Sequence, residues 1–116
     1  MKRKFRLTRS EDFQRVRRNG RSHAHPLLVL IVRPNDSAQL RVGVAAGRTV
    51  GNAVHRNRAK RLLREAMRPM LPTLASGWDL VLIARPGLSD ASLDQTRDVL
   101  KSLLGRAGLA TPGDES

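Results

Sequence analysis

The chain has 116 residues, with 22 Lys plus Arg against 10 Asp plus Glu, a formal charge of +12 and no cysteine. About two-thirds of the unfolded surface of a 12.9 kDa chain can be buried, enough for one independent domain and too little for two. Disulfides and thiolate metal sites are excluded, a reducing cytoplasm fits, and the charge implies polyanion partners while leaving the fold open.

Residues 1–9 read as a flexible basic arm, since Met1 to Leu7 carries no helical start signal. The arm could pass for the leading region of a secretion signal. The nearest apolar run, Leu27 to Val32, is however only six residues long, too short for a signal core or a membrane span. Thr8-Arg9-Ser10-Glu11 has the spacing of a capping box and Asn19-Gly20 supplies a stop, so a short helix is predicted from Ser10 to Arg18, with Phe13 and Val16 facing inward. Phe13 has two readings, as core filler beside Val16 or as a ring on which a nucleotide stacks. His23 and His25 at i,i+2 would share a strand face, but the local acids that would complete a metal site are absent. Leu27 to Arg33, closed by Pro34-Asn35-Asp36-Ser37, and Arg41 to Ala46 together predict a hairpin of two strands with a short turn.

The next segment, Gly51 to Glu65, is the most informative. Asn52 is a good N-cap for a helix that must end by about Arg68, because Pro69 and Pro72 follow. At about 100° per residue, Ala59, Leu62, Leu63, Ala66 and Met70 gather on one side, and Arg56, Asn57, Lys60, Arg61, Arg64 and Arg68 on the other. Solvated helices usually mix Glu with Lys at spacings of three and four, whereas Glu65 is the one acid among six cations between Arg56 and Arg68. Such self-repulsion persists more easily when a polyanion neutralises it. Asn57, mid-helix and a poor helix former, has no structural excuse; a hydrogen bond to RNA, or a water or ion beside a phosphate, would supply one. Glycines 43, 47 and 51 are read as letting a backbone approach another backbone or a phosphate.

One further turn is allowed over Leu71 to Ser76. Asp79 to Arg85 is a continuous apolar strand, so both of its faces should be covered and it should be central. Ser92-Leu93-Asp94-Gln95 is a second capping box, opening a helix with Leu93, Val99, Leu100, Leu103 and Leu104 buried. From Gly105 the chain decays into a Gly, Pro and acid tail expected to be disordered, which sets a single domain over residues 1–106 and a tail over 107–116. The order of helix, strands, helix, strand, helix predicts a two-layer α/β domain. No Gly-x-Ser-x-Gly elbow or phosphate-loop spacing is present. Asp90, Asp94 and Asp98 read as offsetting the dipole of the last helix rather than as a nuclease centre.

Arg41-Val42-Gly43-Val44, followed by Gly51-Asn52-Ala53-Val54-x-Arg56-Asn57-Arg58-x-Lys60-Arg61-x-x-Arg64-Glu65, resembles the signature of the bacterial ribonuclease P protein subunit. Asp12-Phe13 on the first helix and Ala84-Arg85 after the last strand agree with it, and the resemblance spans about Lys4 to Arg106. It implies an α/β two-layer sandwich, a small central sheet of about four strands packed with helices, with a left-handed β-α-β crossover around the basic helix; chain rules alone predict the right-handed one. It also implies a subunit that binds the catalytic RNA of ribonuclease P and contacts the 5′ leader of precursor tRNA. The hydrolysis, with magnesium held mainly by the RNA subunit and substrate, would belong to the RNA, so no catalytic residue is expected in the protein. The resemblance places Asn52, Arg56, Asn57, Arg58, Lys60, Arg61 and Arg64 in the RNA-contacting block, with Arg68 and Arg48 beside it. Phe13 falls on the floor of the leader cleft, which Arg17 and Ile31 would line where relatives often carry aromatics. Gly47-Arg48-Thr49 stands where relatives commonly read Ser-Lys-Lys.

Two other readings compete. A ribosomal-type RNA-binding protein would have the same size and charge and would bind RNA without affecting tRNA processing. A DNA-binding regulator would need a second helix and a tight turn feeding the basic one, which the pattern lacks, so DNA is not an expected partner; nor is a membrane, given the short apolar run.

Overall fold

A computed structural model describes residues 5–109. In chain order the elements are α1 (Ser10–Asn19), β1 (Arg21–Ala24), β2 (Leu28–Pro34), β3 (Arg41–Ala46), α2 (Ala53–Met67), β4 (Trp78–Ala84) and α3 (Leu93–Arg106). Short 3-10 segments at Arg48–Val50, Arg68–Thr73 and Leu88–Asp90 join them. The strands form one sheet in the order β1-β2-β4-β3.

The period-2 alternation of β2 and β4 sends side chains to two different cores. Leu28, Leu30 and Val32 of β2, Val42 of β3, and Leu80, Leu82 and Ala84 of β4 face α2 and α3. These contribute Leu63, Ala66 and Met67, and Leu100, Leu103 and Leu104 respectively. The intervening residues Ile31 and Val81 point to the opposite face, where Val16 of α1 and Leu7 of the arm cover them. The expected sandwich of sheet and helices is therefore present, with α1 laid over the second face. β4 is central and buried along most of its length, as its unbroken apolar run predicts.

The predicted hairpin is not formed. β2 and β3 run in opposite directions, as a hairpin would require, but β4 lies between them, antiparallel to β2 and parallel to β3. Their connection therefore spans two strand spacings of about 4.8 Å each and crosses the start of β4. Backbone bonds from Asn35 N to Gly77 O and from Gly77 N to Gln39 O tie it down there. A local pattern specifies direction and turn, while insertion of a strand some forty residues away is a tertiary choice. β3, α2 and β4 then make the parallel β-α-β crossover around the basic helix.

Three smaller expectations are corrected. The first capping box does not form; Arg9 takes the N-cap position without a side-chain bond, leaving Thr8 outside the helix. In the arm, Arg6 makes a parallel bridge to Val42, and Leu7, only 4% exposed, donates its N–H to Val42 O at 2.8 Å. Residues 6–7 are thus fixed against β3, while residues 1–4 lie outside the described ones. At the other end α3 continues through Gly105 to Arg106, and Leu109 returns to the core, so the described part of the expected tail is ordered. Residues 110–116 lie outside the described ones.

Candidate nucleic-acid interface

The start of α2 is set by two residues. Gly51 adopts φ +134°, a backbone conformation open to glycine, and this turns the chain out of the Arg48–Val50 segment. Asn52 then caps the helix, its Oδ1 accepting the His55 N–H at 3.2 Å and lying 2.8 Å from His55 Nδ1. Arg48 is left exposed just ahead of the helix.

Ala59, Leu63, Ala66 and Met67 form the buried stripe of α2, and its basic residues divide around that stripe. Arg56, Lys60 and Arg64, spaced by four, run along one edge and are half-buried. Asn57 and Arg61 form the outer ridge, and Arg58 lies beyond it on the flank nearer α3. Arg48, Arg56, Arg58, Lys60 and Arg61 make no ion pair or side-chain hydrogen bond with any described residue. Arg68 differs, since its Nη2 donates to Glu65 Oε1 at 2.8 Å. The Nε of Arg64 is buried without a partner among the described residues. Burial first, and then the charge of Arg6, push the Arg64 pKa below its usual value. Its charged state is therefore disfavoured in the free protein and would be relieved by an anion.

Leu62 was expected in the core; it is half-buried on the Arg58 flank and belongs to neither core cluster. Its helical angle, about two-thirds of a turn from that of Arg56, puts it just past the edge of the buried stripe.

The second expected surface lies across the sheet. The ring of Phe13 rests directly on Gly43 of β3, where any β-carbon would overlap it. Gly43 thus admits an aromatic ring, where a backbone or a phosphate was expected. Arg17, one turn further along α1, is exposed on the same side as Phe13. Ile31 does not share that surface: it is 5% exposed, beneath Val16 and beside Val81. The apolar residues of β2 and β4 left partly open on this face are Val29 and Ile83. The alternation of β2 and β4 could have identified them, since they occupy the same face as Ile31 and Val81.

A polar network unforeseen from the sequence holds α1 in place. Arg41 grips Asp79 with two bonds of 2.9 Å, from Nε and Nη2, and reaches Asp12 of α1 at 3.4 Å. Asn35 Nδ2 adds a 2.8 Å bond to Asp79. The Arg41 pKa is raised, mainly by the hydrogen bonds to Asp79 and against the opposing effect of its own burial. Asp12, the residue before Phe13, is thus tied to β3 directly and to β4 through Arg41.

His25 Nδ1 accepts the N–H of Leu27 at 3.0 Å, a local turn contact. Among the described residues there is no group of three or more His, Cys, Asp or Glu that could hold a metal ion. No helix of the described chain is long and apolar enough to cross a membrane.

A family model described as Ribonuclease P matches residues 1–108. The chain is 46% identical over 110 residues to the ribonuclease P protein component of Chloroflexus aurantiacus, covering 94% of this chain and 82% of that protein. It is 41% identical over 109 residues to the one from Herpetosiphon aurantiacus, covering 94% and 89%. Among solved structures it matches the Staphylococcus aureus RNase P protein with a TM-score of 0.82 at 29% identity, over 92% of this chain and 98% of that one. The match to the Thermotoga maritima RNase P protein has a TM-score of 0.76 at 31% identity, over 87% and 96%.

Proposed function

The chain belongs to the ribonuclease P protein family, and from that premise we propose that it binds the catalytic RNA through α2 and receives the 5′ leader of precursor tRNA on the sheet face beside Phe13 and Arg17. The observation that carries this reading is the set of cations on and before α2 that pair with no described residue, Arg48, Arg56, Arg58, Lys60 and Arg61, with Arg64 half-buried beside them. Cations kept close together without acids are stabilised by phosphates, and each phosphate contact releases condensed counterions. Arg56 and Lys60 sit one turn apart, as do Asn57 and Arg61, so two rows of donors can follow a backbone. Asn52, which caps the helix, and Arg68, shared with Glu65, stand at the ends of this surface.

In this reading the chemistry of leader removal, with its magnesium ions, is carried by the RNA and its substrate. The protein holds the RNA and the leader in register and neutralises their charge, in the bacterial cytoplasm. The test is cleavage of a precursor tRNA by a bacterial ribonuclease P RNA at low magnesium. Rescue is expected only when RNA and protein are both present. Tight RNA binding without rescue would favour a ribosomal-type role, and cleavage by the protein alone would refute the division of labour.

A further inference from the structure

The Arg58 flank of α2 carries a feature that phosphate binding does not use. Between α2 and the start of α3 lies an open groove of about 590 Å³ whose floor is Val54, Leu62 and Leu93. Val54 is 74% exposed and is the one exposed large hydrophobic residue among the described residues. Leu62 belongs to neither core, so α2 presents one exposed and one half-buried apolar side chain to the groove. Arg58, Arg61 and Asn57 line the same groove, and none of them has a polar partner among the described residues.

A phosphate backbone is recognised by wet, charged surfaces and gains nothing from an apolar floor. An acidic peptide would be matched by the arginines but would leave the apolar floor and the Asn57 amide unexplained. An unpaired nucleotide matches the floor, the amide and the arginines, while Glu65 at the rim is held by Arg68. Its base has an apolar face and a hydrogen-bonding edge, and its phosphate is an anion a few ångströms away. Single-stranded RNA is commonly read in this way, by splaying a base onto a side-chain platform and bonding its edge. The groove lies within the size range of pockets that enclose small ligands.

We propose that this groove captures one unpaired nucleotide of the ribonuclease P RNA, with the base on Val54, Leu62 and Leu93, its edge on Asn57 and its phosphate on Arg58 and Arg61. The inference rests on the RNA-binding reading above and adds that one flank of α2 reads a base, whereas the Arg56, Lys60 and Arg64 edge reads charge alone. It also assigns Asn57 a purpose mid-helix, since an amide can bond two atoms of a purine edge at once.

The test uses the full-length protein with ribonuclease P RNA and adds a positive charge while obstructing the floor, in Val54→Lys and Leu93→Lys. Val54 is too exposed to affect folding, which keeps the test decisive if Leu93→Lys is unstable. Base-specific chemical probing should show one RNA nucleotide protected by the wild type and reactive again with each variant, and affinity should fall about tenfold despite the added cation. Affinity equal to or above that of the wild type, with no base changing its reactivity, would overturn base capture and leave a phosphate-only surface. Arg56→Ala separates the two readings: if it weakens binding while Val54→Lys does not, only the groove assignment falls. If the wild type does not bind the RNA, both fall.

Discussion

Asp79 is 2% exposed and keeps its place because Arg41 and Asn35 satisfy its carboxylate. Removing one partner of a buried pair leaves an uncompensated charge, so Arg41→Ala should lower stability by about 3 kcal/mol in urea denaturation. The raised Arg41 pKa fixes the sign of its pH dependence. Its contribution is fully present below the value in the unfolded chain and is lost only as pH rises through the still higher folded value, in strong alkali. Stability curves of wild type and Arg41→Ala should therefore stay parallel across neutral pH. Arg64 has the opposite shift, because burial and Arg6 disfavour its charge. Replacing it by an apolar side chain of similar length, Arg64→Met, should raise the melting temperature of the free protein while weakening RNA binding; a loss of both would mean that Arg64 is structural. Phe13 rests on Gly43 and also borders the open face. If it touches the leader, Phe13→Ala lowers affinity for precursor tRNA more than for mature tRNA, and equal losses would return the ring to a packing role.

At the scale of elements, α2 depends on its cap. Asn52→Ala removes the acceptor for the His55 N–H and should cost about 1 kcal/mol, whereas Asn52→Ser restores a capping oxygen and most of that stability. A variant that regains stability but not RNA affinity would show that the Asn52 amide also contacts RNA, separating two roles that Asn52→Ala alone would mix. The same element shows what the sequence conveys and what it does not. The cap, the helix and the buried stripe of Ala59, Leu63 and Ala66 follow from local rules, because each depends on residues within four positions. The central position of β4 was legible for a similar reason, since an unbroken apolar run has only one comfortable place in a sheet. Pairing was not: β2 and β3 carry a hairpin's pattern, and only β4, arriving from beyond α2, separates them. Within the candidate site, the basic side chains of α2 were legible one by one. The Asp12-Arg41-Asp79 network was not, because its members lie 29 and 38 residues apart along the chain.

Across the whole molecule, charge is divided along the chain: residues 1–68 hold 18 cations and 4 acids, whereas residues 69–116 hold 4 and 6. The later segment supplies β4 and α3, whose buried residues complete the core begun by β2, β3 and α2, and the earlier one supplies α1 and α2, whose cations lie outside their buried stripes. Such an asymmetric field attracts RNA from a distance and weakens steeply with ionic strength. If α2 neutralises phosphates, log K for the RNA should fall linearly with log salt, each contact adding about 0.9 to the slope on duplex or about 0.7 on single strands. Arg56→Ala and Arg58→Ala should each weaken assembly by about 1 to 3 kcal/mol and reduce that slope by about 1, measured by titration over a series of salt concentrations. The two variants then divide by chemistry. Arg56, at the edge that lacks an apolar floor, should lose affinity in proportion to its slope, whereas Arg58, above the groove, should retain a salt-independent part of its loss. Normal affinity at low salt in both variants would remove α2 from the interface and leave the arm and α1 as the surfaces to test next.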